Sequence, residues 1–316
     1  MNILFFQTAH SHDDDRVKYH QWRSLEDAGH RCFFASTAAE IHDTPDVVIC
    51  DNPIALWRAR KALSSRVPIV YDVTEWYPSK KNLRSVSWWL KPGKRIVSLA
   101  ANYWAGWSAN AFLFGEYHKA RPFRLLFPWK RYIMLPYYPS LSYIPYTPPK
   151  PLTHQVRLLY AGPQTAEKGY NRVQELVRLC EINIPNVNIV LTTINNLSFK
   201  DFCEEITRHD IFLDLRDADA ENTRCLPIKL FYYLAASRPV IYSDLKAIRH
   251  GVPEIVNDSL VRPNDIERAA IMIRELISHP KQYASICKRN RELAEKQYNW
   301  ELQKEDFIQF IESLKP

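Results

Sequence analysis

Twice along this chain, short apolar runs of strand length alternate with amphipathic helical stretches, and a segment crowded with proline and tyrosine separates the two series. In the first series residues 3–6, 31–35, 47–50 and 69–73 read as buried strands. A helix beginning near Asp15 carries Trp22, Leu25 and Ala28 toward the interior and stops at Gly29, and 54–63 reads as another helix. Strands separated by helices cannot be joined by hairpins, so they pair in parallel and the helices cover both faces of the sheet. Beyond 133–135 the pattern gives way to Pro136, Pro139, Pro145, Pro148, Pro149 and Pro151, interleaved with Tyr137, Tyr138, Tyr143 and Tyr146, the composition of a stiff linker. The second series follows, with strands at 156–161, 187–191, 211–215, 239–242 and 260–261 and helices at 167–180, 199–207, 228–236 and 265–278.

A chain of 316 residues is comfortable as two such units of about 150 residues, each able to bury its own core. Apolar residues at 46% and charged residues at 24% are ordinary for a globular protein and argue against disorder. The expected fold class is therefore α/β, with two Rossmann-like doubly wound domains facing a cleft. The boundaries implied are an N-terminal domain at 1–140, a linker at 141–152, a C-terminal domain at 153–297, and a closing helical segment at 298–316. Ligands in such sheets bind beyond the carboxyl ends of the strands, which directs the search for chemistry to those ends.

Met1 and Asn2 run directly into the first apolar stretch without a basic region or a cleavage site, and nowhere do about eighteen apolar residues follow one another. A cytoplasmic protein is expected. The six cysteines stand singly, without the paired spacing of zinc or redox sites, and read as reduced thiols. The net charge of +7 is concentrated between residues 80 and 131, where eleven Lys and Arg face the single acid Glu116 and lie among Trp88, Trp89, Trp104, Trp107 and Trp129. Two readings fit that mixture: docking of residues 80–131 on an anionic membrane surface, or a solvated basic face over buried aromatics. No nucleic-acid-binding module is recognisable, so nucleic acid is not expected as a partner.

Two segments of the second series carry chemistry. In the first, Arg157 to Gly169, a strand ends at a turn opened by Gly162 and a helix begins near Glu167. The unpaired N–H groups there welcome a phosphate, and Lys168 adds a full positive charge. In the second, Pro227 sits at a helix start, Lys229 lies in its first turn, and Pro239 opens the next strand. A cation in a first helical turn opposes the dipole, which asks for an anionic partner.

Taken in order, Gly162…Glu167-Lys168-Gly169 and Pro227-Ile228-Lys229…Ala235…Pro239-Val240 resemble the retaining glycosyltransferases of family four (group 1), which have the GT-B fold. Asp15-Arg16-Val17, Ala28-Gly29-His30, Tyr71-Asp72-Val73 before Glu75, and Tyr298-Asn299-Trp300 extend the likeness over most of the chain. The resemblance implies sugar transfer from a nucleotide-sugar donor with retention at the anomeric carbon, the leaving diphosphate helping to take the acceptor proton. It implies that Gly162 and Lys168 contact the donor diphosphate, with Lys168 also catalytic by stabilising it, and that Pro227, Ile228, Lys229 and Leu230 border the nucleotide. No cofactor or metal is implied, since the nucleotide sugar is a substrate. The chain departs from the family pattern at Pro163, which stands where an arginine is usual, and at Arg224 and Tyr232, which stand where a pair of glutamates is usual. Tyr232 occupies the position that grips the ribose, and Glu221 and Asn222 are nearby candidates to take over that contact.

On the acceptor side, the turn from Thr8 to Asp15 holds two histidines and three carboxylates at a strand end. A fourth ligand of defined spacing is missing, so an acceptor-contacting loop through His12, Asp15 and Arg16 is the reading, not a metal site. Thr74 stands where a histidine is common in the family, and Glu75 follows the fourth strand, placed to orient an acceptor hydroxyl as a second catalytic residue. The acceptor expected is a glycan or lipid-linked glycan of cell-envelope polysaccharide synthesis, reached from the inner membrane face. Two alternatives remain open: a non-catalytic glycosyltransferase-like binding subunit, and a GT-B nucleotide-sugar epimerase.

Overall fold

The computed structural model describes residues 1–7, 16–79, 81–83, 86–195, 197–219 and 222–315, and the chain divides into two compact units. Unit 1 comprises residues 1–137 and 303–316, and unit 2 comprises residues 138–302.

Unit 1 contains, in chain order, β1 (Asn2–Phe6), α1 (Arg16–Asp27), β2 (Arg31–Ala35), β3 (Val47–Cys50), α2 (Pro53–Ala62), β4 (Ile69–Val73), α3 (Lys91–Ser108), β5 (Ala111–Phe114), α4 (Tyr117–Leu126) and β6 (Arg131–Met134). All strands are parallel, in the order β2-β1-β3-β4-β5-β6. The order reverses between β1 and β3, the place where such sheets open a crevice at their carboxyl ends. Strands β3, β4 and β5 are buried along their whole length, because helices lie on both faces and no side chain can be spared for water. Pro53 and Asn52 start α2 in the expected manner: the Asn52 side chain accepts from the Ala55 N–H at 2.9 Å and proline occupies a position whose N–H has no partner in any case.

The segment between β4 and β6 differs from the sequence reading, in which no elements stood out there. It folds as α3, β5 and α4, with Pro122 inside α4. Its phenylalanines Phe112, Phe114, Phe123 and Phe127 are buried, but the tryptophans that lie among its cations are not: Trp88, Trp89, Trp107 and Trp129 are each at least 60% exposed. The idea of a basic face laid over buried tryptophans therefore does not hold for these four. Lys130 closes the end of α3, donating to the carbonyls of Gly106 at 2.8 Å, Trp107 and Ala109, the carbonyls that a helix end leaves open.

Unit 2 contains β7 (Gln155–Ala161), α5 (Tyr170–Asn183), β8 (Asn188–Ile194), α6 (Phe199–Ile206), β9 (Ile211–Asp214), α7 (Ile228–Ala235), β10 (Val240–Ser243), α8 (Lys246–Gly251), α9 (Val256–Ser259), β11 (Leu260–Val261), α10 (Ile266–Ser278) and α11 (Pro280–Lys296). The strands are again all parallel, ordered β11-β10-β9-β7-β8, with the reversal between β7 and β9. Its core gathers Val156, Leu158, Tyr160, Leu176, Ile211, Leu213, Ile241 and Ile273. The proline- and tyrosine-rich stretch is fastened to this unit. Arg291 donates to the Ile144 carbonyl at 2.8 Å, Arg238 to the Thr147 carbonyl at 3.0 Å, and Tyr138 packs edge-on against Phe231. The last helix, α12 (Glu301–Glu312), contributes Gln303 and all that follows to unit 1. There Gln303 donates to the Pro136 carbonyl at 2.7 Å and Arg131 to the Ser313 carbonyl at 2.9 Å.

In unit 1, His20 of α1 is buried, and burial holds its imidazole down at about 3. The unfolded chain binds a proton at that residue below about pH 6.5 while the folded chain does not, so stability present above that pH is lost as pH falls. The loss attributable to His20 should reach about 1.4 kcal/mol per pH unit below about pH 6. Urea unfolding at pH 7, 6, 5 and 4 measures it, and His20→Gln should flatten the slope; parallel slopes would show that another group is responsible.

Candidate functional site

The switch point of unit 2 brings charged side chains together at the carboxyl ends of β7 and β9. Asp214, the last residue of β9, is 1% exposed. A carboxylate that deep needs its charge met, and Arg216 meets it in bidentate fashion, Nε to Oδ1 at 2.6 Å and Nη2 to Oδ2 at 2.8 Å. Lys229, in the first turn of α7, brings its Nζ within 3.4 Å of Oδ2 and donates to the Ala161 carbonyl at the end of β7. Burial raises the Asp214 carboxyl, but the charges and hydrogen bonds of Arg216 and Lys229 outweigh it and hold the carboxyl below its ordinary value.

Asp214 thus supplies the anionic neighbour that the position of Lys229 calls for. Two cations around one carboxylate leave a surplus positive charge beside the turn at Gly162. A Cβ added at Gly162 would lie 3.1 Å from the Lys229 Nζ, so the missing side chain is what lets the ammonium reach the strand end. The Tyr160 hydroxyl, below this turn, donates to the carbonyls of Pro163 at 2.9 Å and Lys168 at 3.1 Å and so fixes the loop that carries Lys168. Gly169 then adopts φ +80°, and a Cβ there would fall 1.6 Å from the Leu215 carbonyl oxygen. The loop after β7 and the loop after β9 therefore touch through a backbone position that admits glycine alone.

Of the residues singled out in the sequence for a donor, Gly162 and Lys229 meet in this cluster, Lys168 borders it through its backbone, and Pro227 is the residue preceding α7, with Ile228 its first. Others are placed differently. Leu230 is fully buried, and Tyr232, 1% exposed, packs edge-on against Phe199 and Phe202 of α6. As the chain stands, the Tyr232 ring belongs to the core and offers no surface to a ribose. Asn222 uses its amide on the Asp217 carbonyl at 3.0 Å and its backbone N–H on Asp219 at 2.7 Å, which fastens the loop after β9 instead of presenting a free side chain. Glu221 lies outside the described residues. The sequence reading missed Asp214 and Arg216, although the run Asp214-Leu-Arg216-Asp217 directly after an apolar strand is a signal for charge placed at a strand end.

In unit 1, considered by itself, the carboxyl ends of β3 and β4 carry Asp51, Thr74 and Glu75. Thr74 donates through Oγ1 to the Asp51 carbonyl at 3.2 Å, and its own carbonyl accepts from Lys119 at 2.5 Å. Burial raises the Asp51 carboxyl, and burial together with the charges of Asp51 and Glu75 pushes the Tyr77 hydroxyl up. Asp51 is a third residue that the sequence reading missed. Arg16 opens α1, while His12 and Asp15 lie outside the described residues. One turn inward, Lys18 and Asp72 form an ion pair at 2.5 Å with both side chains 1% exposed.

No protein-family model matches the sequence, and no curated protein matches it either. Solved structures do. Sucrose-phosphate synthase from Thermosynechococcus elongatus superimposes with a TM-score of 0.69 at 12% identity, covering 99% of each chain. HepE of Anabaena, solved in complex with UDP-glucose, gives 0.67 at 12% identity over 99% of this chain and 100% of that one. The fold is GT-B. WaaG, a glycosyltransferase involved in lipopolysaccharide biosynthesis, matches with a TM-score of 0.61 at 13% identity over 98% of this GT-B chain and 99% of its own. Likeness at such identities carries the fold and leaves chemistry to be argued from the residues.

Gly169→Ala tests the contact between the two loops. The strained φ and the clash with Leu215 should cost about 2–3 kcal/mol or more, read as a lower urea midpoint at unchanged m-value. A midpoint equal to that of the parent chain would mean the loops do not touch there.

Proposed function

We propose that the protein transfers a sugar from a nucleotide-sugar donor, held at the carboxyl ends of β7 and β9, to a glycan or lipid-linked glycan acceptor. The observation that carries this reading is the Lys229–Asp214–Arg216 cluster beside the side-chain-free turn at Gly162, lying at the switch point of the sheet with Lys229 in the first turn of α7. Its surplus positive charge suits a diphosphate. Such a site would stabilise the charge that grows on the departing diphosphate, acting as preorganised electrostatics without a protein nucleophile. Transfer with retention, in which the diphosphate helps take the acceptor proton, is the stereochemistry that goes with this reading, and no metal is needed for it.

In this proposal Glu75, at the end of β4, orients the acceptor hydroxyl, with Thr74 beside it. Cell-envelope polysaccharide synthesis at the inner membrane face is the proposed setting, supported by the exposed tryptophans and the cationic surplus between residues 80 and 131. No helix among the described residues is long and apolar enough to cross a membrane. One observation favours a second reading, a binding subunit without turnover: Tyr232 stands where a ribose-gripping carboxylate is usual and is buried besides.

A thermal-shift screen against UDP-, GDP-, dTDP- and ADP-sugars separates the two, since a ligand at a hundred times its dissociation constant stabilises by about 2.7 kcal/mol. A shift with one base is expected; no shift with any favours the binding subunit. Once a donor and an acceptor are in hand, Lys168→Ala should slow turnover at saturating acceptor by roughly 10²-fold. Unchanged turnover would remove Lys168 from the reaction.

A further inference from the structure

Helix α3 is solvent-exposed almost all round. Of its eighteen residues, Asn102, Ala105 and Gly106 are buried, while Ile96, Val97, Leu99, Tyr103 and Trp107 are each more than 40% exposed. A helix with so much apolar surface is normally covered. Between α3 and α4 runs a groove of about 390 Å³, within the range of small-molecule sites, walled by Ile96, Leu99, Tyr103, Phe123 and Leu126. Its polar lining residue, Asn102, donates to the Ser98 carbonyl at 2.8 Å and accepts from the Tyr71 hydroxyl at 3.4 Å, so its amide is already engaged. An apolar occupant is what such walls can hold. Trp76, the residue after Glu75, also lines the groove and packs edge-on against Phe123.

The surroundings specify the head of that occupant. Lys91, Lys94 and Arg95 stand in the first turns of α3, and the single acid between residues 80 and 131, Glu116, is paired with Lys119 at 2.7 Å. Charge complementarity therefore asks for an anion on an apolar body, and exposed tryptophans interleaved with cations suit a lipid headgroup layer better than a protein surface.

We propose that the α3–α4 groove takes one hydrocarbon chain of a phosphate-headed acceptor lipid, drawing it from the bilayer so that its head lies by Trp76 and Glu75. This rests on the sugar-transfer reading only for the word acceptor; the groove's affinity for the chain stands apart from it. The enzyme thereby recognises its lipid by the chain as well as by the group that receives the sugar.

Calorimetric titration of the full chain with octyl, decyl and dodecyl phosphate, each below its micelle concentration, tests the groove directly. Affinity should rise roughly fourfold per added methylene. Ala100→Phe, which plugs the groove, and Leu126→Ser, which removes part of its wall, should each weaken dodecyl phosphate about tenfold or more and flatten the series. Both substitutions are at exposed positions, and unchanged thermal unfolding confirms that the fold persists. Affinity independent of chain length, affinity unaltered in both variants, or concentration-dependent self-association abolished by the same variants would overturn the proposal. The nucleotide-sugar thermal shift on the same preparations keeps the readings apart: chain-length dependence without any donor shift sinks sugar transfer and leaves the groove, whereas a donor shift without chain-length dependence sinks the groove alone.

Discussion

Each of the two sheets buries a carboxylate near the carboxyl end of one strand, and each draws a helix lysine in to neutralise it. In unit 1 it is Asp72 of β4 with Lys18 of α1; in unit 2 it is Asp214 of β9 with Lys229 of α7, seconded by Arg216. A charge sealed from water is costly alone and tolerable when paired, so the pair fixes which turn of the helix lies against which strand end. That placement matters because the strand ends are where a doubly wound sheet can bind anything. In unit 2 the pairing also pulls Lys229 onto the Ala161 carbonyl, where the bare turn at Gly162 leaves room for its ammonium. From one buried acid follow the position of the helix and the positive surface beside the strand tip.

Much of this architecture was legible in the residues. The run at Val47–Cys50 is apolar throughout, and those at Ile69–Val73 and Ile211–Asp214 are apolar but for the one aspartate each buries, which is what burial on both faces requires, and all three lie in strands. The segment between β4 and β6 was not legible, for two reasons. In α3 much of the apolar surface is exposed and is interleaved with lysine, arginine and tryptophan, so no buried stripe marks it; in α4, Pro122 sits where a helix interior normally excludes proline. Each helix buries only a few small or aromatic residues in the core, Ala105 of α3 and Ala120 and Phe123 of α4 among them, and rules that look for a wide apolar stripe pass over them.

The site divides in the same way. Gly162 and Lys229 announced themselves by local chemistry, a strand end followed by glycine and a cation in a first helical turn. Asp214 did not, because its role comes from a residue fifteen positions further along, and spacing of that kind is set by the sheet and not by the chain. The likeness that placed Tyr232 at a ribose is a likeness of sequence position. In space the ring fills the core against Phe199 and Phe202, where aromatic packing outweighs any need for a polar contact.

The lysine at the strand end is never idle, and that sets what can displace its partners. An incoming monoanion offers Lys229 little that Asp214 does not already provide, and it meets the same carboxylate as a repulsive neighbour. A ligand with two or more negative charges can engage Lys229 and Arg216 together and so outcompete the internal acid. In the proposed donor site the buried aspartate would therefore act as a threshold on valence, discounting chloride, acetate and other monoanions in favour of multiply charged groups.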